Sequence, residues 1–196
     1  MLTHKWFARP APEVARDLIG CRLIRQINGL KTEGTIVETE AYQAGDPATH
    51  GHRRKTKRTA VMFGPAGYIY VYLIYGMYHC FNIVTGDDGE LSAVLIRAVE
   101  FDTALPWHAQ QSSGKIERIA AGPGKLCKAL EIDRQMTESP LGKQTGIWVA
   151  QRLKRQEVQL SSNPSLIVNT TRIGISKGVE KRWRWYLKDS PAVSKR

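Results

Sequence analysis

Apolar and polar positions alternate along "GTIVETEAY", residues 34–42. A period of two predicts a strand with Ile36, Glu38, Glu40 and Tyr42 on one face and Val37, Thr39 and Ala41 on the other. Upstream, "APEVARDLIG" has Pro12 at a helix start and Gly20 at its end, which predicts a short helix. "CRLIRQI" reads as a strand, and Asn28-Gly29 predicts a tight hairpin that returns the chain antiparallel into the acidic strand. A long loop, "QAGDPATHGHRRKTKRTAVMFGPAG", follows. The stretch "YIYVYLIYGMYHCFNIVTGDDGELSAVLIRAVE" predicts three antiparallel strands, with a bend at Gly76 and a hairpin near Gly86 to Gly89. "GPGKLCKALEID" predicts a short helix, and "SLIVNTTRIGI" and "RWRWYLKDS" predict closing strands. With no repeat and no linker, the economical reading is α+β: a single compact domain, 1–196, an antiparallel β-sheet with flanking short helices.

Composition changes this picture in one respect. The chain has 196 residues, 42% of them hydrophobic, which is ordinary for one domain with a real core. Its 29 Lys and Arg against 18 Asp and Glu, a formal charge of +11, point to a polyanionic partner, with nucleic acid foremost. Cys21, Cys80 and Cys127 are isolated and odd in number, which argues against a disulfide framework and a zinc site and for a reducing compartment. "MLTHKWFARP" carries charges where a signal peptide is apolar, and the most apolar stretch is too short and too tyrosine-rich for a spanning helix. A soluble cytoplasmic protein, nucleoid-associated if bacterial, with no membrane partner is expected.

Against that charge, the two acids of "ETE" stand out. Taken alone they fit a solvent-facing strand edge. Yet a carboxylate beside Tyr42 in a protein that attracts phosphates repels DNA unless it has a chemical duty. Strand parity also divides the tyrosines: Tyr68, Tyr70 and Tyr72 share one face, whereas Tyr75 has the opposite parity beside Gly76. Packing in a sheet core accounts for the first three, but an exposed tyrosine at a bend can wedge between bases. His50 and His52 form an H-x-H pair without a third ligand, so no metal is expected. "RRKTKR" reads as a localisation signal, a solvated loop or a phosphate contact. The concentration of charge favours phosphate, with Arg53, Arg54, Lys57 and Arg58 as the contacting residues. "GPGKL" reads equally as an anion site with Lys125 or as an ordinary capped helix.

Taken together, "VETEAY", the histidine eight residues beyond that tyrosine, "MFGPAGYIYVYLIYGMYHCFNIV", "VLIRAVE", "GPGKLCKAL" and "RIGI...RWRWYLKDSPAVS" resemble the alkyladenine, or 3-methyladenine, DNA glycosylases from about Ala11 to Ser194. The resemblance implies a mixed fold around a curved antiparallel sheet and a monomer acting on double-stranded DNA that contains damaged purines. It further implies no metal or other cofactor and no lyase step. Position by position it implies Glu40 as general base and Arg97 as the arginine that helps hold that carboxylate and the water. Tyr42, His50 and Tyr72 correspond to walls of the pocket for the flipped base, and Asn82 to the residue that disfavours guanine. Tyr75 corresponds to the side chain inserted into the duplex. Two positions depart from the pattern: Thr59 stands where asparagine is common, and "RWRWY" has tryptophan where phenylalanine is usual. Glu38 has no family role and is expected to be a supporting or structural partner.

A rival of another class is a non-catalytic module that binds single-stranded nucleic acid, stacking bases on tyrosines and tracking phosphates with the basic loop. It explains charge and aromatics but not Glu38, Glu40 and Arg97. A basic ribosome-associated protein is the blander alternative. A zinc base deaminase is disfavoured because the H-x-E and P-C-x-x-C signature is absent.

Overall fold

The computed structural model describes residues 1–107 and 115–195, and in it every strand pairing is antiparallel. Two short helices open the chain, α1 (His4–Phe7) and α2 (Ala11–Leu18). Strand β1 (Arg22–Ile27) turns through Asn28 and Gly29, both at positive φ (49° and 81°), into the long β2 (Leu30–Gln43). That is the backbone a two-residue Asn-Gly hairpin requires. Next come β3 (Ile69–Ile74), β4 (Tyr78–Val84) and β5 (Ser92–Glu100), the meander expected from the apolar pattern. Helix α3 (Pro123–Ala129), strand β6 (Ile147–Ala150), helix α4 (Lys154–Ser162) and strands β7 (Ile167–Thr170) and β8 (Arg184–Leu187) complete the order. The sequence pattern did not reveal α1, β6 or α4, because each is short or weakly periodic.

The eight strands form one sheet ordered β3-β4-β5-β2-β1-β6, with β8 pairing both β2 and β7. Strand β2 is the hub: its first half pairs β1, and its second half lies between β5 and β8. The main core packs α2 and α3 against this sheet through residues such as Phe7, Val14, Leu18, Ile69, Phe81, Ile96 and Leu126. Among the described residues, the sheet and its core form one α+β domain.

Two local departures from simple alternation shape the middle of β2. The β2–β5 register shifts on both sides of Glu38, so that Val37 and Arg97 have no Cα partner in the ladder. Such a bulge re-aims side chains. Ile36 accordingly joins the main core with Ala41 instead of sharing a face with Glu38, and Val37 packs in a separate cluster with Ala98, Ala192 and Val193. The exposed-edge reading of the acids is also overturned, since Glu38, Thr39 and Glu40 are each 0% exposed on a strand paired along both edges.

Strand β2 passes unusually close to the end of β5 at Gly34. A Cβ there would lie 2.5 Å from Val99 Cγ1 and 2.8 Å from the Glu100 carbonyl oxygen. The Gly34→Ala variant is expected to lose about 1–3 kcal/mol of stability through overpacking against backbone that cannot swing away. Denaturant titration measures this loss, and an unchanged midpoint would refute the close packing.

Candidate active site

Directly paired residues on neighbouring strands share a face of the sheet. One such row crosses four strands: Asn82 on β4, Leu95 on β5, Glu40 on β2 and Arg184 on β8. The first three of these line a cavity of about 680 Å³. Its walls are Tyr42, His50, Met62, Tyr70, Tyr72 and Cys80, and its rim carries Tyr75, Tyr78, the start of α3 (122–125) and the loop 173–177. The volume falls within the range of about 300–1,000 Å³ typical of small-ligand sites.

Glu40 is held on both oxygens. The Ile173 backbone N–H donates to Oε1 (2.8 Å), Arg97 Nη1 pairs with the same oxygen at 3.2 Å, and the Tyr42 hydroxyl donates to Oε2 (2.8 Å). A carboxylate has about four acceptor sites, so these three contacts leave room for a water. Arg97 also donates through Nε to Glu38 Oε1 (3.1 Å) and through Nη2 to Ser194 Oγ (3.3 Å). Burial works against its charge, but Glu40 and Glu38 outweigh it and raise the guanidinium above its ordinary value. Burial, then the neighbouring Glu40 carboxylate, pushes the Tyr42 hydroxyl well above the usual tyrosine value, so it remains a donor.

The aromatic walls are packed on one another. The His50 and Tyr72 rings meet edge to face at 4.6 Å between centroids, and Tyr70 lies tilted 5.6 Å from Tyr72. His50 Nδ1 is 3.0 Å from the Tyr70 hydroxyl, and burial followed by the charge of Arg58 lowers the imidazole below its ordinary value. Burial raises Tyr70 to about 12 and Tyr72 further still. Asn82, 4% exposed, donates Nδ2 to the Tyr70 and Cys80 carbonyls (3.1 and 3.3 Å), which fixes its amide and leaves Oδ1 as the acceptor.

Tyr75 is 81% exposed at the turn between β3 and β4. It adopts φ 53° and Gly76 φ 69°, with the Met77 N–H donating to the Ile74 carbonyl (3.3 Å). Positive φ at a bulky non-glycine residue is uncommon and holds the ring outward at a fixed point. Tyr68, Tyr70 and Tyr72 pack together in a second hydrophobic cluster, in agreement with the parity argument.

Among the predicted phosphate contacts, Arg58 and Lys125 lie on the cavity rim, while Arg53, Arg54 and Lys57 are exposed on the same loop as Arg58 but outside the cavity lining. Thr59 is buried and pairs with the Thr56 hydroxyl (2.9 Å), so it shapes that loop from within. His52 Nδ1 lies 3.1 Å from the Thr49 carbonyl oxygen. No group of three or more metal-ligating side chains occurs among the described residues. Burial raises all three thiols, Cys21 to about 11.

Sequence reasoning missed a buried clamp behind Tyr42. Arg172 Nη2 donates to Asp46 Oδ1 (3.0 Å) and to the Gly178 carbonyl (3.1 Å), and Nη1 donates to the Ala41 carbonyl (3.0 Å). Its guanidinium lies 4.7 Å from the Tyr42 ring centroid. Burial opposes the ionised Asp46 carboxyl, but hydrogen bonds from Arg172, Ala48 and Thr49 overcome it and hold the group below its ordinary value. The clamp fixes the loop whose Ile173 amide reaches Glu40. Asp46 and Arg172 lie 126 residues apart, so no local spacing betrays the pair. Arg184 and the Ile173 amide escape a local reading for the same reason.

A family model described as methylpurine-DNA glycosylase matches residues 5–191. The chain is 50% identical over 201 residues to a protein of Trichodesmium erythraeum named "Putative 3-methyladenine DNA glycosylase", covering 100% of this chain and 98% of the relative. Proteins of the same name from Synechococcus sp. and Carboxydothermus hydrogenoformans are 51% and 44% identical, each aligned over 99% or more of both chains. The chain therefore belongs to the methylpurine-DNA glycosylase family and, as a member of it, is a DNA glycosylase, a hydrolase of N-glycosidic bonds.

Proposed function

We propose that the protein is a monofunctional glycosylase that starts base excision repair. It flips alkylated or deaminated purines of the 3-methyladenine, 7-methylguanine and hypoxanthine class out of duplex DNA and hydrolyses their glycosidic bonds with a water activated by Glu40. One observation carries this reading: a fully buried carboxylate, fixed by an amide, a guanidinium and a phenol, stands in an aromatic cavity of a strongly basic protein.

Extruding a nucleotide costs a few kcal/mol, less for a damaged or poorly paired base. Tyr75, held outward at the rim, fills the vacated space in the stack, while Arg58, Lys125 and the exposed loop cations engage phosphates. Tyr42 and Tyr72 offer ring faces to the extruded base, and a cationic methylpurine gains a cation–π attraction that a neutral base lacks. Water then attacks C1′ as the bond from C1′ to the purine nitrogen breaks. Glu40 takes a water proton, and its charge stabilises the oxocarbenium-like sugar. The departing electron pair neutralises a cationic base, which leaves without further help. A neutral base such as hypoxanthine leaves as an anion that solvent then protonates, so cationic lesions are the easier chemistry. A module that only bound single strands would have no use for a carboxylate desolvated in this way, because its burial opposes stability unless it is paired.

The Glu40→Gln variant is expected to bind lesion DNA as the wild type does while single-turnover excision falls by about 10²–10⁴-fold, the usual worth of a general base. Excision at the wild-type rate would remove Glu40 from the mechanism. Two further variants separate access from recognition. Tyr75→Ala should slow excision of every lesion, least where the lesion is mispaired and extrusion is already cheap. Asn82→Ala should leave adenine-type lesions as substrates but relax discrimination against guanine, since a pocket rejects a wrong base by clash or by an unpaired polar group. Rates on a paired lesion, a mispaired lesion and normal guanine test both, and equal losses across all three would mean that these residues only support the fold.

A further inference from the structure

We propose that Arg184 is a positioning residue for the base: by neutralising Glu38 it leaves Arg97 free to hold Glu40 as a carboxylate at neutral pH. This rests on Glu40 being the general base.

Glu38 is completely buried and accepts from Arg97 Nε (3.1 Å), Arg184 Nη1 (2.7 Å) and the Ser194 backbone N–H (2.9 Å). Arg184, 4% exposed, is the Cα partner of Glu40 across the β2–β8 ladder, but its side chain reaches back to Glu38. It is held there as Nε donates to the Thr171 carbonyl (2.9 Å) and Nη1 to the Lys195 carbonyl (2.8 Å). Neither Glu38 nor Arg184 lines the cavity, so neither touches a base bound in it.

The groups around Glu40 come from five strands and a loop. Glu38 and Tyr42 share its strand, Arg97 lies on β5, Tyr72 on β3, Cys80 on β4 and Arg184 on β8, and the loop after β7 brings the Ile173 amide and Arg172. Burial, the largest influence on Tyr42, Tyr72 and Cys80, raises all three and keeps them neutral. Arg172 is matched by Asp46. What remains is two carboxylates, Glu38 and Glu40, against two guanidiniums, Arg97 and Arg184. Removing Arg184 leaves two buried acids sharing one cation, and acids so placed retain a proton between them. A protonated Glu40 cannot serve as base. A purely structural Arg184 would instead lower activity equally at every pH.

The test is single-turnover excision of hypoxanthine from duplex DNA between pH 5 and 8.5. In Arg184→Gln the acid limb of the profile should move up by roughly 1–3 pH units, the range produced by losing an opposite charge within about 4–6 Å, and the rate should recover as pH rises. Arg184→Lys, which keeps the charge, should leave the limb near the wild-type position. The double variant Glu38→Gln/Arg184→Gln restores the balance of one acid to one base and should return the limb to that position. If Arg184→Gln is too unstable to assay, the double variant decides: recovered folding with a wild-type limb supports the proposal, and continued loss overturns it. A loss in Arg184→Gln that is uniform with pH, or a double variant no better than the single one, also overturns it. If Glu40→Gln proves fully active, the general-base reading itself has failed. If that variant is inactive while the limb of Arg184→Gln stays in place, only the role of Arg184 has failed.

Discussion

One guanidinium shared by two buried carboxylates sets the terms for the rest of the site. Arg97 bonds Glu38 and pairs with Glu40 on a stretch of β2 that is closed on both edges, so Glu38 depends on protein partners alone and Glu40 meets water only through the cavity. Burying an ion without a partner costs several kcal/mol, and only near-complete pairing offsets that. The sheet register makes the pairing possible. The pairs Ile36↔Val99 and Thr39↔Ile96 on either side bring Arg97 opposite Glu38, on the face where Glu40 meets its own partner Leu95.

Around this centre the chain separates charge by depth. The exterior around the cavity is basic, with Arg53, Arg54, Lys57, Arg58 and Lys177 exposed on loops and Lys125 on the first turn of α3, while the acids at the site are buried. In the proposed reading, a phosphate backbone meets positive potential at the surface, and only an extruded nucleotide comes near the negative group. The two segments that frame the cavity are fastened independently of any ligand. One is clamped by Arg172 and Asp46 and delivers the Ile173 amide to Glu40, and the other opens α3 beside Tyr78. A site built this way is preorganised.

Much of this is legible in the chain. The Asn28-Gly29 hairpin, the meander of β3 to β5 and the helix α2 announce themselves by period and turn chemistry, and the tyrosine parity separates Tyr72 from Tyr75 correctly. The features that stay hidden have physical causes. A bulge is invisible to a period-two reading, which puts Ile36 on the wrong face. The short strand β6 has too few residues to show alternation. Arg172, Ile173 and Arg184 reach the site through contacts that span well over a hundred residues, and no local pattern encodes them. For Glu38 the sequence suggests a supporting partner, and the structure supplies its three donors.

The proposed chemistry turns on an ionised Glu40, held by Arg97 and the Ile173 amide, as the reactive group. The pH dependence of single-turnover excision on one lesion, compared between the wild type and Glu40→Gln, tests it most directly. An ionised base at this position predicts a wild-type rate that rises about tenfold per pH unit along its acid limb before reaching a plateau, and a slow, flat residual rate in Glu40→Gln. An acid limb that persists unchanged in Glu40→Gln would contradict it.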